Sequence, residues 1–266
     1  MATAAVSALY RYPVKGFTPE RRESLTVQPD GRIAGDRVLA FRFATAADPE
    51  QRDGLDYWPK AKGLSLQDFP ALAELRLDYD DAEKRVRIAL GTGVLVDETL
   101  DGAGRGAIVE AVTDYVLRSP EGARLRRPGR LPLVLVGDGE TSRFQDRPRG
   151  YISVHGEGSV AELAAALGMP IDDRRFRSNV VVAGLAAWRE LEWRGPVRIG
   201  EVGFSVEGPI VRCLATHANP DTGVRDAPVL TGLTRKIGQR EPTLGRLMLP
   251  SGRGGILRVG DELEAE

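Results

Sequence analysis

Short runs of alternating apolar and polar residues, separated by glycine and proline, are the feature that most limits how this chain can fold. Residues 75–79 and 86–90 alternate on either side of a polar turn, residues 197–199 and 202–206 form a similar pair, and residues 39–43 also alternate. A period of two is typical of strands with one buried face. The 31 glycines and 17 prolines among 266 residues exceed the usual share of about 12%. The sequence therefore predicts a mainly β (α+β) fold of many short strands.

Three segments have the apolar spacing of a helix. They are residues 105–117, residues 159–167, which Ser159 opens as the first residue of a capping box, and residues 228–237. The motif G-x-G-x-x-A at residues 102–107 precedes the first of them. The acidic strand residue that dinucleotide binding requires about 20 residues later would fall in a segment full of glycine and proline. We therefore interpret the motif as a flexible loop before a helix.

The best candidate for a domain boundary is residues 119–130, which are rich in proline, glycine and arginine. Such residues interrupt both helices and strands. We therefore expect a β-rich module at residues 1–119 and a second β-rich domain with a few helices at residues 120–266.

Charge and composition exclude several classes of protein. The formal net charge of −1 predicts neither nucleic-acid nor anionic-membrane binding, and the longest apolar runs, residues 131–136 and 180–188, are too short to span a bilayer. With one cysteine, Cys213, and two histidines, the chain cannot form a disulfide framework, an all-cysteine zinc site, its own iron–sulfur cluster or a three-histidine metal site. We therefore expect a cytoplasmic protein that binds neither nucleic acid nor membrane.

Cys213 lies in the most distinctive segment of the chain, directly after Arg212 and shortly before a turn at residues 219–223. A lone cysteine is most often a small buried apolar residue. A neighbouring cation, however, favours the thiolate, which is a soft metal ligand. If residues 210–217 are extended, Cys213 and His217 share one face about 13 Å apart and cannot bind the same metal ion.

Other cationic residues also lie at predicted strand ends or turns. Lys15 follows Tyr-Pro-Val, Arg37 follows Gly-Asp, and Arg177 precedes the predicted strand at residues 180–182. Only five of the 37 cationic residues are lysines, so the chain is rich in guanidinium groups, which bind phosphates and carboxylates well. Each of these cations alone is most often solvated, but together they would form a pocket for a phosphate dianion if the fold brings them together.

Several of these motifs, in this order, resemble the MOSC proteins, the family of molybdenum cofactor sulfurase C-terminal domains. Residues 12–16 and 35–37 resemble the amino-terminal β-barrel module of that family. Later motifs follow the order of the MOSC β-barrel domain itself; they are residues 144–146, 176–179, 198–200, 212–213, 219–223 and 259–261. Among the family, the resemblance is to the amidoxime-reducing components and to bacterial reductases of N-hydroxylated compounds.

The resemblance implies a pterin-based molybdenum cofactor in an oxidoreductase. Cys213 would be the catalytic residue and the protein thiolate on molybdenum, and Lys15 and Arg37 match positions that hold the cofactor's phosphate. The positions that line the pterin match Arg177, Asn179 and Arg212. The resemblance also implies that a small N-oxygenated or N-hydroxylated substrate is reduced with electrons from a separate flavin or iron–sulfur protein.

Three positions depart from the family pattern. Gly16 stands where a serine is usual, Ser178 replaces a proline, and Leu247 stands where the reductases carry a tyrosine. His155 either faces the expected pocket or is a hydrogen-bonded structural residue.

Three alternatives fit part of the same residue set. The first is a molybdenum cofactor carrier or sulfur-transfer protein that uses Cys213 without turnover of its own. The second is a pyridoxal-phosphate enzyme with Lys15 as the aldimine lysine. The third is a β-rich domain whose ancestral pocket is empty.

Overall fold

The alternating segments form strands in the computed structural model, which describes residues 3–265; Met1, Ala2 and Glu266, at the outer ends of the two predicted domains, lie outside the described residues. The strands are β1 (Ala5–Arg11), β2 (Glu20–Arg22), β3 (Ser24–Val27), β4 (Ala40–Phe43), β5 (Glu50–Arg52), β6 (Leu55–Tyr57), β7 (Leu75–Asp80), β8 (Arg85–Leu90), β9 (Gly93–Thr99), β10 (Leu133–Val136), β11 (Ile152–Gly156), β12 (Val180–Ala183), β13 (Val197–Ile199), β14 (Val202–Val211), β15 (Thr243–Pro250), β16 (Gly255–Arg258) and β17 (Leu263–Ala265). The predicted mainly β fold is confirmed.

The helices are few and mostly short. They are α1 (Gly102–Arg118), α2 (Gly122–Leu125), α3 (Glu157–Leu167), α4 (Arg189–Glu192) and α5 (Val229–Thr231). Short 3₁₀ turns span Ala44–Ala46, Lys60–Lys62, Pro70–Glu74, Asp173–Phe176 and Leu214–His217, and a π turn at Gly232–Lys236 continues α5. Among residues 3–265, no helix has both the length and the apolar character needed to cross a bilayer.

The largest sheet has eight strands in the order β17-β13-β14-β15-β11-β12-β1-β2. Only β11 and β12 pair in parallel; the other neighbours are antiparallel. Val180, Val181 and Val182 of β12 are all buried, as expected for a strand that is covered on both faces. An isolated bridge from Ala5 to Glu262 brings β1 beside the chain that enters β17. The family resemblance implies barrel-like modules, and no closed barrel is found among the paired strands of residues 3–265.

Strands from both sides of the predicted domain boundary pair with each other. β1 pairs with β12, β4 with β10, and β3 with β16. The division at residues 119/120 stays a prediction. These pairings place β1, β3 and β4 of the first half beside β12, β16 and β10 of the second half.

Helix α1 packs on the three-stranded sheet β7-β8-β9 and buries Ile108, Val112 and Val116 in the core. The helix begins at Gly102 because the carboxylate of Asp101 accepts a hydrogen bond from a backbone N–H of the first turn at 2.7 Å. The apolar spacing from residue 105 onwards is confirmed, and the helix simply starts one turn earlier.

The prediction of a flexible loop at residues 102–107 is wrong, because these glycines are part of α1. Gly104 is buried, and a Cβ at this position would overlap the carbonyl oxygen of Thr99, the last residue of β9. The glycine therefore allows close helix–strand packing rather than flexibility.

The predicted capping role of Ser159 is also wrong. Helix α3 begins two residues earlier, and the buried hydroxyl of Ser159 donates to Glu190 Oε2 and accepts from the N–H of Trp188, each at 2.8 Å. The hydroxyl therefore binds Glu190 and Trp188, which are distant in the sequence, instead of capping the first turn of α3. The predicted end of the helix is confirmed, since Gly168 adopts a φ of +69° that suits glycine.

Replacing Gly104 with alanine should lower the free energy of unfolding by about 1–3 kcal/mol, because the helix or the end of β9 must move to accommodate the methyl group. Gly106→Ala is the matched control in the same helix, where nothing lies within 4 Å of the new Cβ. This control should gain about 0.5–1 kcal/mol from helix propensity. Urea unfolding measures both changes, and equal stability of Gly104→Ala and the wild type would contradict the close packing.

Candidate functional site

A cavity of about 440 Å³ is lined by segments from both halves of the chain. They include the turn after β1, Arg37 before β4, the chain around and after Lys60–Lys62, the loop before β11, the chain before β12 and the end of β14. All the site residues predicted from the sequence line this cavity: Lys15, Arg37, Arg177, Asn179, Arg212 and Cys213. The fold therefore brings them together, whereas their roles as cofactor ligands remain predictions.

Lys15 is fixed in the turn after β1 by a hydrogen bond from its backbone N–H to Leu39 O at 2.9 Å. Its buried ammonium lies 2.8 Å from Asp146 Oδ1 and donates to Gln145 O at 3.1 Å. Burial lowers the pKa of Lys15, and the Asp146 carboxylate opposes that shift. The loop before β11 thus supplies the partners that keep this cation at the cavity wall.

The ring of Tyr12 supports two guanidinium groups of the cavity. Cζ of Arg177 lies 4.2 Å from the ring centroid, and Cζ of Arg37 lies 4.8 Å from it. The ring is fully buried, and its hydroxyl donates to Ser178 O at 3.2 Å. Burial raises the pKa of the Tyr12 phenol, so the ring stays neutral and attracts cations to its π face. The sequence indicated Tyr12 only as part of a motif.

Asp36 connects these groups. Its buried carboxylate accepts hydrogen bonds from Tyr12 N–H at 2.8 Å and from Asn179 Nδ2 at 3.4 Å, and it pairs with the Arg37 guanidinium. Arg37 has a φ of +52°, a left-handed conformation that residues with a side chain rarely adopt. This costly backbone conformation is held by a hydrogen bond from Arg37 N–H to Tyr12 O at 2.7 Å.

Arg177 also has a left-handed backbone, with a φ of +53°. Its Nη1 donates to Phe17 O at 2.6 Å. Burial lowers the pKa of Arg177 to about 10, and the nearby charge of Arg37 acts in the same direction. The guanidinium remains protonated near neutral pH, and a partly desolvated cation of this kind gains from an anionic ligand.

Asn179 uses its side chain to connect strands. Its Nδ2 donates to Tyr10 O at 3.2 Å, and its Oδ1 accepts from Ser153 Oγ at 2.9 Å. The amide therefore joins β1, β11 and β12 beside the cavity.

Cys213 follows the end of β14 at the cavity wall and is half-buried. The preceding Arg212 is buried and donates through Nη1 to Phe176 O and through Nε to Leu244 O, both at 2.7 Å. The extended conformation considered for residues 210–217 ends at Cys213, because Leu214–His217 forms a 3₁₀ turn. The turn is closed by a hydrogen bond from Thr216 N–H to Cys213 O at 3.0 Å.

His217 consequently points away from the position that an extended strand would give it. Its Nε2 accepts a hydrogen bond from Leu230 N–H at 3.1 Å, and it is not among the residues that line the cavity. Cys213 is therefore the only one of the two that faces the candidate site.

Lys60 and Ser65 also line the cavity, and sequence reasoning did not select either. Burial lowers the pKa of the Lys60 ammonium, but Asp146 and Cys213 outweigh this effect and raise it overall. A second cation, besides Arg212, therefore lies near the thiol. Neither residue belongs to a motif, so only the tertiary structure identifies them.

His155 is buried in β11 and does not line the cavity. Its ring lies edge-on to Phe176, with the centroids 5.6 Å apart. Neither ring nitrogen has a hydrogen-bond partner among residues 3–265. His155 therefore fits neither alternative fully, since it does not line the cavity and also lacks the hydrogen bonds of the structural alternative.

His155 should make the fold sensitive to acid. Burial, with Arg212 acting in the same direction, lowers its pKa from 6.5 to about 3. The unfolded chain binds a proton below about pH 6.5 and the folded chain does not, so stability is intact above pH 6.5 and falls towards pH 3 by up to about 1.4 kcal/mol per pH unit. In urea unfolding from pH 8 to 4, His155→Gln should show a shallower loss than the wild type; parallel curves would contradict a buried neutral histidine.

Tyr12 variants should separate the ring from its hydroxyl. Tyr12→Phe should lower the free energy of unfolding by about 1 kcal/mol, because one buried hydrogen bond is lost. Tyr12→Leu should cost about 3 kcal/mol, since the surface beneath two guanidinium groups is also lost. Chemical denaturation measures both, and equal costs would argue against a role of the ring in supporting the cations.

The comparisons with known proteins point to one family. Residues 141–264 match the MOSC domain. The chain is 46% identical over 68 residues to the molybdenum cofactor sulfurase of Drosophila grimshawi, which covers 25% of this chain and 9% of that protein. It is 30% identical over 115 residues to the human mitochondrial amidoxime-reducing component 1, which covers 40% of this chain and 34% of that protein.

Among solved structures, the YuaD protein of Bacillus subtilis is similar over 99% of this chain and 96% of its own, with 15% identity and a TM-score of 0.46. The chain spans only 9% and 34% of the length of the two curated relatives named above. The resemblance that the sequence motifs indicate is confirmed over residues 141–264, which match the MOSC domain.

Proposed function

We propose that this protein binds the pterin-based molybdenum cofactor and reduces small N-oxygenated or N-hydroxylated compounds at molybdenum, with electrons from a separate flavin or iron–sulfur protein. The observation that carries the proposal is a cavity in which one thiol, that of Cys213, lies together with several buried cations. The similarity to an amidoxime-reducing component and to a molybdenum cofactor sulfurase supports a molybdenum-cofactor-associated function.

The cavity offers few metal-binding side chains, which fits a metal whose other ligands belong to an organic cofactor. Among the described residues, no group of three or more His, Cys, Asp or Glu side chains could hold a metal ion. Cys213 alone would supply one soft ligand, and the dithiolene sulfurs of the cofactor would supply the others. The positive charges of Arg212 and Lys60, which lie near Cys213, would offset the negative charge of a metal-bound sulfur.

The cations and unpartnered polar atoms of the cavity fit the organic part of the cofactor. Lys15 and Arg37 would bind its phosphate, because an ammonium and a guanidinium form charge-assisted hydrogen bonds with a dianion. Gln145 Oε1 lines the same cavity, is buried and has no hydrogen-bond partner among the described residues. It would accept a hydrogen bond from a pterin N–H.

Three further residues would position the pterin: Arg177, Asn179 and Arg212. Each is held by hydrogen bonds to backbone or side-chain groups of the protein. Their geometry is therefore set before a ligand arrives, which lowers the ordering cost of binding.

When bound, molybdenum would supply the two-electron chemistry that removes oxygen from the substrate. The chain's own residues would hold the metal through Cys213, neutralise the phosphate and exclude water from the cavity floor. Lys60, beside the thiol, would stabilise negative charge that develops on a substrate oxygen. The one cysteine of the chain cannot hold an iron–sulfur cluster, which favours a separate electron donor.

Cys213→Ser is the sharpest test of this function. In protein produced with ample molybdate, the molybdenum content per chain should fall at least tenfold, because a serine hydroxyl is a far poorer ligand for a soft site. Reduction of an aromatic amidoxime by a reduced viologen dye should be lost with it. Metal analysis and the dye assay measure the two effects.

Leu214→Ser is the matched control, since Leu214 is the exposed neighbour of Cys213 and does not line the cavity. It should keep both molybdenum and activity. Full cofactor loading and activity of Cys213→Ser would sink the proposal. A stoichiometric extra sulfur on Cys213 in the fresh protein, measured by intact mass and combined with no reductase activity, would instead favour the carrier or sulfur-transfer function.

A further inference from the structure

Ser65 carries a buried hydroxyl that the protein itself does not use. The residue is only 7% exposed, and its Oγ has no hydrogen-bond partner among residues 3–265. Its backbone, by contrast, is engaged: Ser65 O accepts from Asp68 N–H at 3.0 Å and from Phe69 N–H at 2.8 Å. An unpaired buried hydroxyl is unfavourable, so the hydroxyl of this cavity-lining residue is ready for a ligand.

Ser65 lies against the turn that carries Lys15. A Cβ on Gly16 would lie 3.4 Å from Ser65 Cα and 3.3 Å from Leu64 O. Gly16 has a φ of +88°, so a side chain would strain the backbone as well as crowd this contact. The two chain segments therefore pack closely only because residue 16 has no side chain.

Three hydrogen-bond donors therefore belong to two chain segments that pack against each other at the cavity wall. They are the ammonium of Lys15, the hydroxyl of Ser65 and the backbone N–H of Gly16, which donates no hydrogen bond among the described residues. The turn at residues 14–17 contains no hydroxyl of its own. A cluster of a cation, a hydroxyl and a free N–H matches the oxygens of a tetrahedral anion.

We propose that Ser65 donates a hydrogen bond to the terminal phosphate of the bound cofactor, next to Lys15 and the N–H of Gly16. Because this assignment rests on the proposed function, its test needs a measurement that does not depend on the loaded enzyme. Inorganic phosphate provides one, since it presents the same oxygens to the cofactor-free protein.

Ser65→Ala should weaken the binding of inorganic phosphate to the cofactor-free protein about tenfold, as expected when one charge-assisted hydrogen bond is lost. Isothermal titration calorimetry measures this affinity. The melting temperature in phosphate-free buffer should not fall, because the substitution removes an unpaired hydroxyl and breaks no bond within the protein. In protein produced with ample molybdate, pterin phosphate should dissociate about tenfold faster during dialysis.

Ser178→Ala is the matched control, because Ser178 also has a buried hydroxyl without a partner but does not line the cavity. It should bind phosphate and retain the cofactor as the wild type does. The assignment of Ser65 is overturned if Ser65→Ala binds phosphate as tightly as the wild type, if the wild type binds none, or if Ser178→Ala is equally impaired. A wild type that binds phosphate through Ser65 but acquires neither pterin nor molybdenum would refute the proposed function alone.

Discussion

The buried ring of Tyr12 and the carboxylate of Asp36 are the contacts on which the site depends. The ring lies beneath the guanidinium groups of Arg37 and Arg177, and the carboxylate binds Arg37, the Tyr12 N–H and the Asn179 amide. These interactions compensate for two left-handed arginine backbones. They also join the turns near β1 and β4 to the start of β12, so the cavity exists only when both halves of the chain are folded together.

Fixed partners hold several of the cations that line the cavity. Arg177 and Arg212 are held by backbone carbonyl groups, which neutralise no charge, whereas Lys15 is held by Asp146. The site therefore has a positive potential in a partly desolvated setting, where interactions with an anion are stronger than in water. These cations would strengthen the binding of an anionic cofactor, and the unpaired hydroxyl of Ser65 would orient its phosphate through a directional hydrogen bond.

Local patterns predicted local structure well and long-range partners poorly. The hairpins of β7–β8 and β13–β14 follow directly from the alternating residues, because a period of two sets which face is buried. The prediction of a capping box at Ser159 was wrong because its hydroxyl donates a hydrogen bond to Glu190, a residue far along the chain. The prediction of a loop at residues 102–107 was wrong because Gly104 packs closely against Thr99, a contact that the helical pattern does not indicate. The extended conformation considered for residues 210–217 stops at Cys213, because the 3₁₀ turn at Leu214–His217 leaves no mark on the apolar pattern.

The sequence by itself determined the mainly β class, the single thiol, and the family resemblance, because these depend on residue type and order alone. It also identified six cavity residues, because the order of the motifs along the chain matches the MOSC family. The spacing of these motifs in the sequence, however, does not give the distances between their side chains in space. Only the tertiary structure decided that these six residues line one cavity, that Lys60 and Ser65 also line it, and that His155 is buried without lining it. The physical reason is that strand pairing across the chain, such as β1 with β12, sets which distant side chains share a space.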